Sequence, residues 1–361
     1  MTRPSLPDSD APSLVASILD QAVRRRASDV HLEPTSAGYE VRYRVDGLLE
    51  AGERYDATVG RSLVARLMVM AQLLTYRLDV PQEGRLAVAS PDDGSTLDLR
   101  LAVIPTTHGL RAAVRLPADL AQPRELGELG LPGEVLSGLH RFAEADAGML
   151  LLTGPAGSGK TTTIYALLAH IAQHRPGLSI VSLEDPVERD LSGVTQIEVS
   201  PFGELTYERS LRSILRQDPQ VLMLGEIRDA ATASLAVQAA MSGHRLISTL
   251  HAATPAGAIA RLLEMGLEPY QITSAVFGVV AQRLLRRSDG AGGYRGRVPV
   301  AEMVTMDTSL RSAVLARGDA EAFSQAYAAQ AGFARMRRAA DVLTARGTTD
   351  AAEIERVLGP V

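Results

Sequence analysis

Gly154-Pro155-Ala156-Gly157-Ser158-Gly159-Lys160-Thr161 has the spacing G-x-x-x-x-G-K-[ST], a loop suited to holding the phosphates of a nucleotide. Its glycines let successive backbone N–H groups turn inward around an anion, and the helix that follows directs its positive dipole end at the same point. Lys160 is the only lysine of the chain; every other cation among its 37 lysines and arginines is arginine. A compact ammonium fits between the β- and γ-phosphates, where a planar guanidinium would be too wide. Thr161 offers a hydroxyl to Mg²⁺, and Thr162 carries the loop into the helix. ATP and Mg²⁺ are therefore the expected ligands.

Further acids could complete a hydrolytic site. Leu222-Met223-Leu224-Gly225-Glu226 is an apolar strand ending in a carboxylate, placed to polarise an attacking water or to bind the hydrated Mg²⁺. A bland alternative makes Glu226 a helix-start acid near Asp229, which has the character of an N-cap. Glu184, Asp185 and Glu188 cluster after another apolar run, with Pro186 stopping the strand; a solvated acidic turn is the alternative. His244 and His251 bracket one short strand. Seven residues apart on a strand, they are about 23 Å distant when fully extended, which rules out a simple metal pair. His251 could sense a γ-phosphate, and His244 would lie at the other end; core or capping histidines are the commoner outcome for such residues.

The elements that must position these groups follow from the pattern of apolar residues. Short continuous apolar runs at Met149 to Leu152, Leu178 to Ser182, Val221 to Leu224 and Leu246 to Leu250 suit strands of a parallel sheet covered on both faces. Each ends in polar residues, and in an open α/β sheet the ligand lies outside the carboxyl ends of the strands. Upstream, Leu14, Val15, Ile18, Leu19 and Val23 recur at helical spacing. Tyr39, Val41, Tyr43 and Val45 alternate with polar residues, as do Leu97, Leu99, Leu101 and Val103. A hairpin centred near Thr107 and His108 would make Arg100 and Arg115 cross-strand neighbours. The expected organisation is a leader at 1–12, an α+β domain at 13–117, a proline-bearing linker at 118–126, an ATPase core at 127–285 and a polar helical portion at 286–361. With 46% hydrophobic and 22% charged residues the chain reads as a soluble globular protein, and a net charge of −5 gives no global attraction to nucleic acid. The absence of cysteine excludes disulfides, Cys-ligated zinc and thiol catalysis. No signal peptide or transmembrane run is expected.

The ordered motifs resemble those of the secretion ATPases that drive type II secretion and type IV pilus assembly. They comprise the phosphate loop, Leu183-Glu184-Asp185-Pro186-Val187-Glu188 as the Asp box, Gly225-Glu226-Ile227-Arg228-Asp229, and Ser242-Gly243-His244 through Ser248-Thr249-Leu250-His251 as the His box. Upstream, Ala27-Ser28-Asp29-Val30-His31-Leu32-Glu33-Pro34, Arg42-Tyr43-Arg44-Val45-Asp46-Gly47 and Pro81-Gln82-Glu83-Gly84-Arg85 resemble that family's second N-terminal domain. The resemblance implies a RecA-like ATPase domain behind a smaller PAS-like α+β domain. It also implies a homo-hexamer hydrolysing ATP near subunit boundaries, with Arg100 and Arg115 reaching the phosphates, and it moves His244 and His251 into the site. It further implies a cytoplasmic motor, peripheral to the inner membrane, that acts on pilin-like subunits through a polytopic platform protein and without direct contact to nucleic acid. The chain reads as a short form: the family's first N-terminal domain is not seen, and Arg286 to Gly293 is a Cys-free turn where many relatives carry a tetracysteine zinc element, so zinc is expected to be absent. A retraction motor or a type IV secretion ATPase is the near alternative. A RecA-like nucleic-acid motor, disfavoured by the acidic balance and 4% aromatic content, and a non-hydrolysing ring subunit stand further off.

Overall fold

The computed structural model describes residues 11–89, 94, 96–117, 125–199, 205–330 and 333–360. Most of the expected leader and most of the expected linker lie outside the described residues; 11–12 open α1. Two compact units divide the chain, Met1–Ala121 and Gln122–Val361.

The first unit runs α1 (Ala11–Arg24), β1 (Asp29–Thr35), β2 (Gly38–Val45), β3 (Leu48–Tyr55), α2 (Ala57–Met70), β4 (Gln82–Ala89), β5 (Thr96–Thr106) and β6 (Gly109–Arg115). Its strands form one antiparallel sheet in the order β3-β2-β1-β6-β5-β4. Alternation dictates which face is buried. Val30, Leu32, Val41, Tyr43, Leu99, Leu101 and Val114 pack in one core with Val15, Ile18 and Leu19 of α1 and Leu63, Val64 and Leu67 of α2. The residues between them turn to the other face. There Arg100 stands opposite Arg115, which in turn stands opposite Asp29 and bonds its Oδ1 at 3.1 Å.

The second unit opens with a 3₁₀ turn (Leu126–Leu129) and α3 (Gly133–Glu144). It continues through β7 (Gly148–Thr153), α4 (Lys160–His174), β8 (Ile180–Glu184), β9 (Thr195–Glu198), α5 (Tyr207–Ile214), β10 (Val221–Leu224), α6 (Ala230–Met241), β11 (Arg245–Leu250), α7 (Pro255–Glu264) and α8 (Pro269–Ala275). β12 (Val276–Ser288), β13 (Tyr294–Thr305), α9 (Thr308–Leu315), α10 (Ala320–Ala328), α11 (Met336–Ala345) and α12 (Ala351–Leu358) complete it. The sheet order is β13-β12-β7-β11-β10-β8-β9, with every neighbouring pair parallel except β12 with β13. Successive residues of the same strands feed two different cores: Met149, Leu151, Leu222 and Leu224 on one face, Leu150, Leu152, Val221 and Met223 on the other. That explains why these strands are continuous apolar runs.

One expectation is corrected. Residues from Arg286 on are not helical at first, and a boundary at 285/286 would cut β12. β12 pairs with β7 on one side and needs a partner on the other, which β13 supplies across the turn whose Asp289 accepts from the N–H groups of Ala291 and Gly293. Val298 and Val300 of β13 then pack with Leu285 beneath Met336, Ala340 and Ile354. Helices take over only from Thr308.

Candidate nucleotide site

The carboxyl end of β7 passes directly into the phosphate loop, and α4 begins at Lys160. β12, alongside β7, holds the loop from outside. Gln282, 2% exposed, accepts from Thr163 Oγ1 and donates to Ser158 O, both at 2.9 Å. The backbone path leaves no room for side chains: a Cβ on Gly154 (φ +145°) would stand 2.4 Å from Gln282 O, and one on Gly159 (φ +89°) 2.7 Å from Gln282 Nε2.

The strand tips are locked to one another. Thr153 Oγ1 donates to Ala252 O at 2.5 Å and accepts from Ala252 N–H at 3.0 Å, joining the end of β7 to the segment after β11. Thr249 Oγ1 donates to Gly225 O, and Ile227 N–H donates to Thr249 O, joining β11 to the turn after β10. Glu226 thus projects from a tip two strands from the phosphate loop, an interstrand span of about 10 Å.

Lys160 Nζ donates to Gly154 O at 2.8 Å and to Pro155 O at 2.9 Å. Burial lowers its pKa, the Arg283 guanidinium lowers it further, and Glu226 opposes both. Arg283 is itself half-buried; it donates to Gln282 O and Ala253 O, and burial lowers its pKa too. Two cations thus share the mouth of the loop. Ser158 Oγ is buried and has no hydrogen-bond partner among the described residues. Two neighbouring cations and an orphaned hydroxyl at a glycine loop fit a polyphosphate.

Glu226 carries cationic or potentially cationic partners on both oxygens. Arg228 binds Oε1, and His251 Nε2 lies 3.2 Å from Oε2. Arg228 also lies 3.8 Å from Asp185 Oδ2. His251 therefore joins the site. The fold does not bring His244 there within one chain. It lies at the opposite end of β11, as the strand spacing predicts, its Nδ1 2.9 Å from Ala239 O at the close of α6.

Glu184 differs from expectation as well. It is 2% exposed, and its carboxylate accepts from Tyr165, from Ser182 Oγ at 2.6 Å and from Gln196 Nε2 at 3.0 Å. So enclosed and bonded on both oxygens, it has the place of an anchor. Asp185 and Glu188 follow it in the loop. Glu188 N–H donates to Tyr165 Oη at 3.2 Å. Arg100 and Arg115 belong to the first unit. Sequence reasoning missed Tyr165, Arg228, Gln282 and Arg283. Gln282 left a signal in a polar amide inside the apolar run Val279-Val280-Ala281, whereas Tyr165 reads as an ordinary helix residue.

A parallel sheet with a phosphate loop at one tip and a partly exposed glutamate at another tip defines a RecA-like P-loop fold. The ATPase DotB of Legionella pneumophila shares it, with a TM-score of 0.79 over 98% of both chains at 20% identity. The profile of the type II/IV secretion system protein family matches residues 8–356, and the chain belongs to that family. It is 39% identical to the type II secretion system protein HxcR of Pseudomonas aeruginosa over 95% of this chain and 76% of that protein. It is 41% identical to the type II secretion system ATPase E of Vibrio cholerae over 77% of this chain and 55% of the other.

Proposed function

We propose that the chain is the ATP-hydrolysing subunit of a hexameric motor that drives assembly of pilin-like filaments, as in type II secretion, type IV pili or DNA uptake. The observation that carries this reading is the shared placement of the Lys160 loop and Glu226 at the carboxyl ends of strands in one sheet. The loop amides, Lys160 and Arg283 would hold the phosphates, and the Thr161 hydroxyl would face Mg²⁺. Mg²⁺, when bound, neutralises charge on the β- and γ-phosphate oxygens. Glu226 orients a water and accepts its proton, which requires that Arg228 release at least part of its hold on the carboxylate. Arg100 and Arg115, opposite one another on the first unit's sheet, are the arginines that the family resemblance assigns to the phosphates. Among the described residues no helix is long and apolar enough to cross a membrane. Recruitment of the ring from the cytoplasmic side by a polytopic inner-membrane platform protein is part of the proposal.

The test is phosphate release by the purified full chain. Lys160→Ala is expected to abolish it; turnover unchanged in that variant would overturn the assignment.

A further inference from the structure

We infer that Tyr165 is a positioning residue that links the phosphate-loop helix to the acidic loop after β8, and through that loop sets how Arg228 divides between Asp185 and Glu226. The inference rests on the ATPase reading above.

Tyr165 is 1% exposed and lies five residues after Lys160 on α4, about 7 to 8 Å along the helix axis. Its hydroxyl has two partners in the acidic loop. It donates to Glu184, where the loop begins, and accepts from the N–H of Glu188 at 3.2 Å. The Arg189 guanidinium lies 5.6 Å from the ring centroid, so the loop wraps the side chain on a second side. Burial raises the pKa of the phenol, and the bond to Glu184 raises it further, so the hydroxyl keeps its proton and remains a donor.

Between the two anchored residues lies Asp185, whose Oδ2 is 3.8 Å from an Arg228 nitrogen. The same guanidinium is bonded to Glu226. Arg228, more than half exposed, can favour either acid, which makes it a two-position element. Phosphates arriving at the N-terminus of α4 act on the helix that bears Tyr165. A shift of that helix moves the hydroxyl, the loop it pins, and Asp185. With Arg228 drawn toward Asp185, Glu226 is freed to handle water; with Arg228 on Glu226, it is masked. A buried hydroxyl bonded to a buried carboxylate transmits such a shift because Glu184 has no water to turn to instead.

Tyr165→Phe in the full chain removes only the hydroxyl. Turnover at saturating Mg-ATP is expected to fall about tenfold with KM changed less than twofold; a raised KM with kcat intact would overturn the inference. In the same background Arg228→Ala is expected to give the turnover of Arg228→Ala alone, because the two residues act in series. Losses that multiply would show that they act separately. Ser182→Ala removes another donor to Glu184, one that makes no hydrogen bond to α4. It is expected to lower the melting temperature as Tyr165→Phe does while keeping kcat within twofold, and an equal loss of kcat would reduce the tyrosine to a support for Glu184. Amide hydrogen exchange with ADP gives a readout independent of hydrolysis. In the wild-type chain ADP should change exchange at residues 185–190 severalfold, and in Tyr165→Phe it should not, at matched ADP occupancy. An unchanged loop in ADP-saturated wild-type protein sinks the link even if the chain proves to be an ATPase; persistent turnover in Lys160→Ala sinks the ATPase reading and leaves this comparison decisive for the link.

Discussion

At the tips of neighbouring parallel strands the chain places two glutamates in opposite surroundings. Glu184 closes β8 at 2% exposure and is held by a phenol, an alcohol and a carboxamide. Glu226, just beyond β10, keeps 19% of its side chain exposed and is held by a guanidinium and an imidazole. With Leu224 beside Leu183, Glu184 is level with Gly225, and Glu226 stands one residue further along, past the end of its strand. Their partners differ as well. Neutral donors in a dry setting bind one acid permanently, because any alternative leaves several polar groups unsatisfied. Solvent-reachable cations can exchange one anion for another, so their hold on an acid can be released by a ligand. The same residue type at the same kind of strand end thus serves as an anchor in one place and as a working group in the other.

Glu226→Gln makes the sharpest test of that contrast. It keeps the shape but removes the proton acceptor, so turnover should fall by about 10² to 10⁴ while ATP binding and melting temperature stay near wild type. Glu184→Ala should act first on stability and lower turnover only through the lost bond to Tyr165. It strands the Tyr165 hydroxyl, the Ser182 hydroxyl and the Gln196 amide, an expected loss of roughly 3 kcal/mol in urea unfolding. If Glu184→Ala kept full stability and lost only turnover, the assignment of the two roles would break.

The sequence made the placement of these acids readable but not their surroundings. Apolar runs ending in Glu184 and Glu226 are visible as patterns because a sheet covered on both faces must be apolar at every position. Arg100 opposite Arg115 was legible for a related reason: alternation and a tight turn fix the register of a hairpin. Burial of Glu184 depends on Tyr165, nineteen residues earlier, and on Gln196, twelve later, and no local pattern carries such contacts. The β13 strand was hidden for another reason. The chain from Arg286 on reads as polar and helical until β12 supplies the partner that makes 294–305 a strand.

A third carboxylate extends the contrast. Glu353 of α12 is fully buried, yet its partners are charged: Arg286 donates from its backbone N–H and its guanidinium, and Arg356 from a second guanidinium. Burial alone would push its pKa up, but the bonds from Arg356 and Arg286 outweigh that and hold it at about 2, below an ordinary 4.5. A pKa depressed by folding contributes stability that is complete above 4.5 and is lost as pH falls through 2. At neutral pH Glu353→Gln should cost about 3 kcal/mol by leaving two guanidinium groups without their anion. That difference between wild type and variant should shrink steadily from pH 5 toward pH 2. A variant difference that did not narrow in acid would overturn this account of Glu353.

The smallest effect belongs to His251, whose side chain is 69% exposed beside Glu226. An exposed imidazole 3.2 Å from a carboxylate contributes little to folding, so His251→Asn should leave the melting temperature unchanged. It also leaves Arg228 bonded to Glu226, so turnover should drop only a few-fold. His244→Asn should not reproduce that drop in an isolated chain, because its imidazole is tied to the end of α6 at the far end of β11. A loss in His251→Asn as deep as that of Glu226→Gln would move the working pair from glutamate and arginine to glutamate and histidine. Arg228 would then be the structural partner of the acidic loop and His251 the group that must let the carboxylate go.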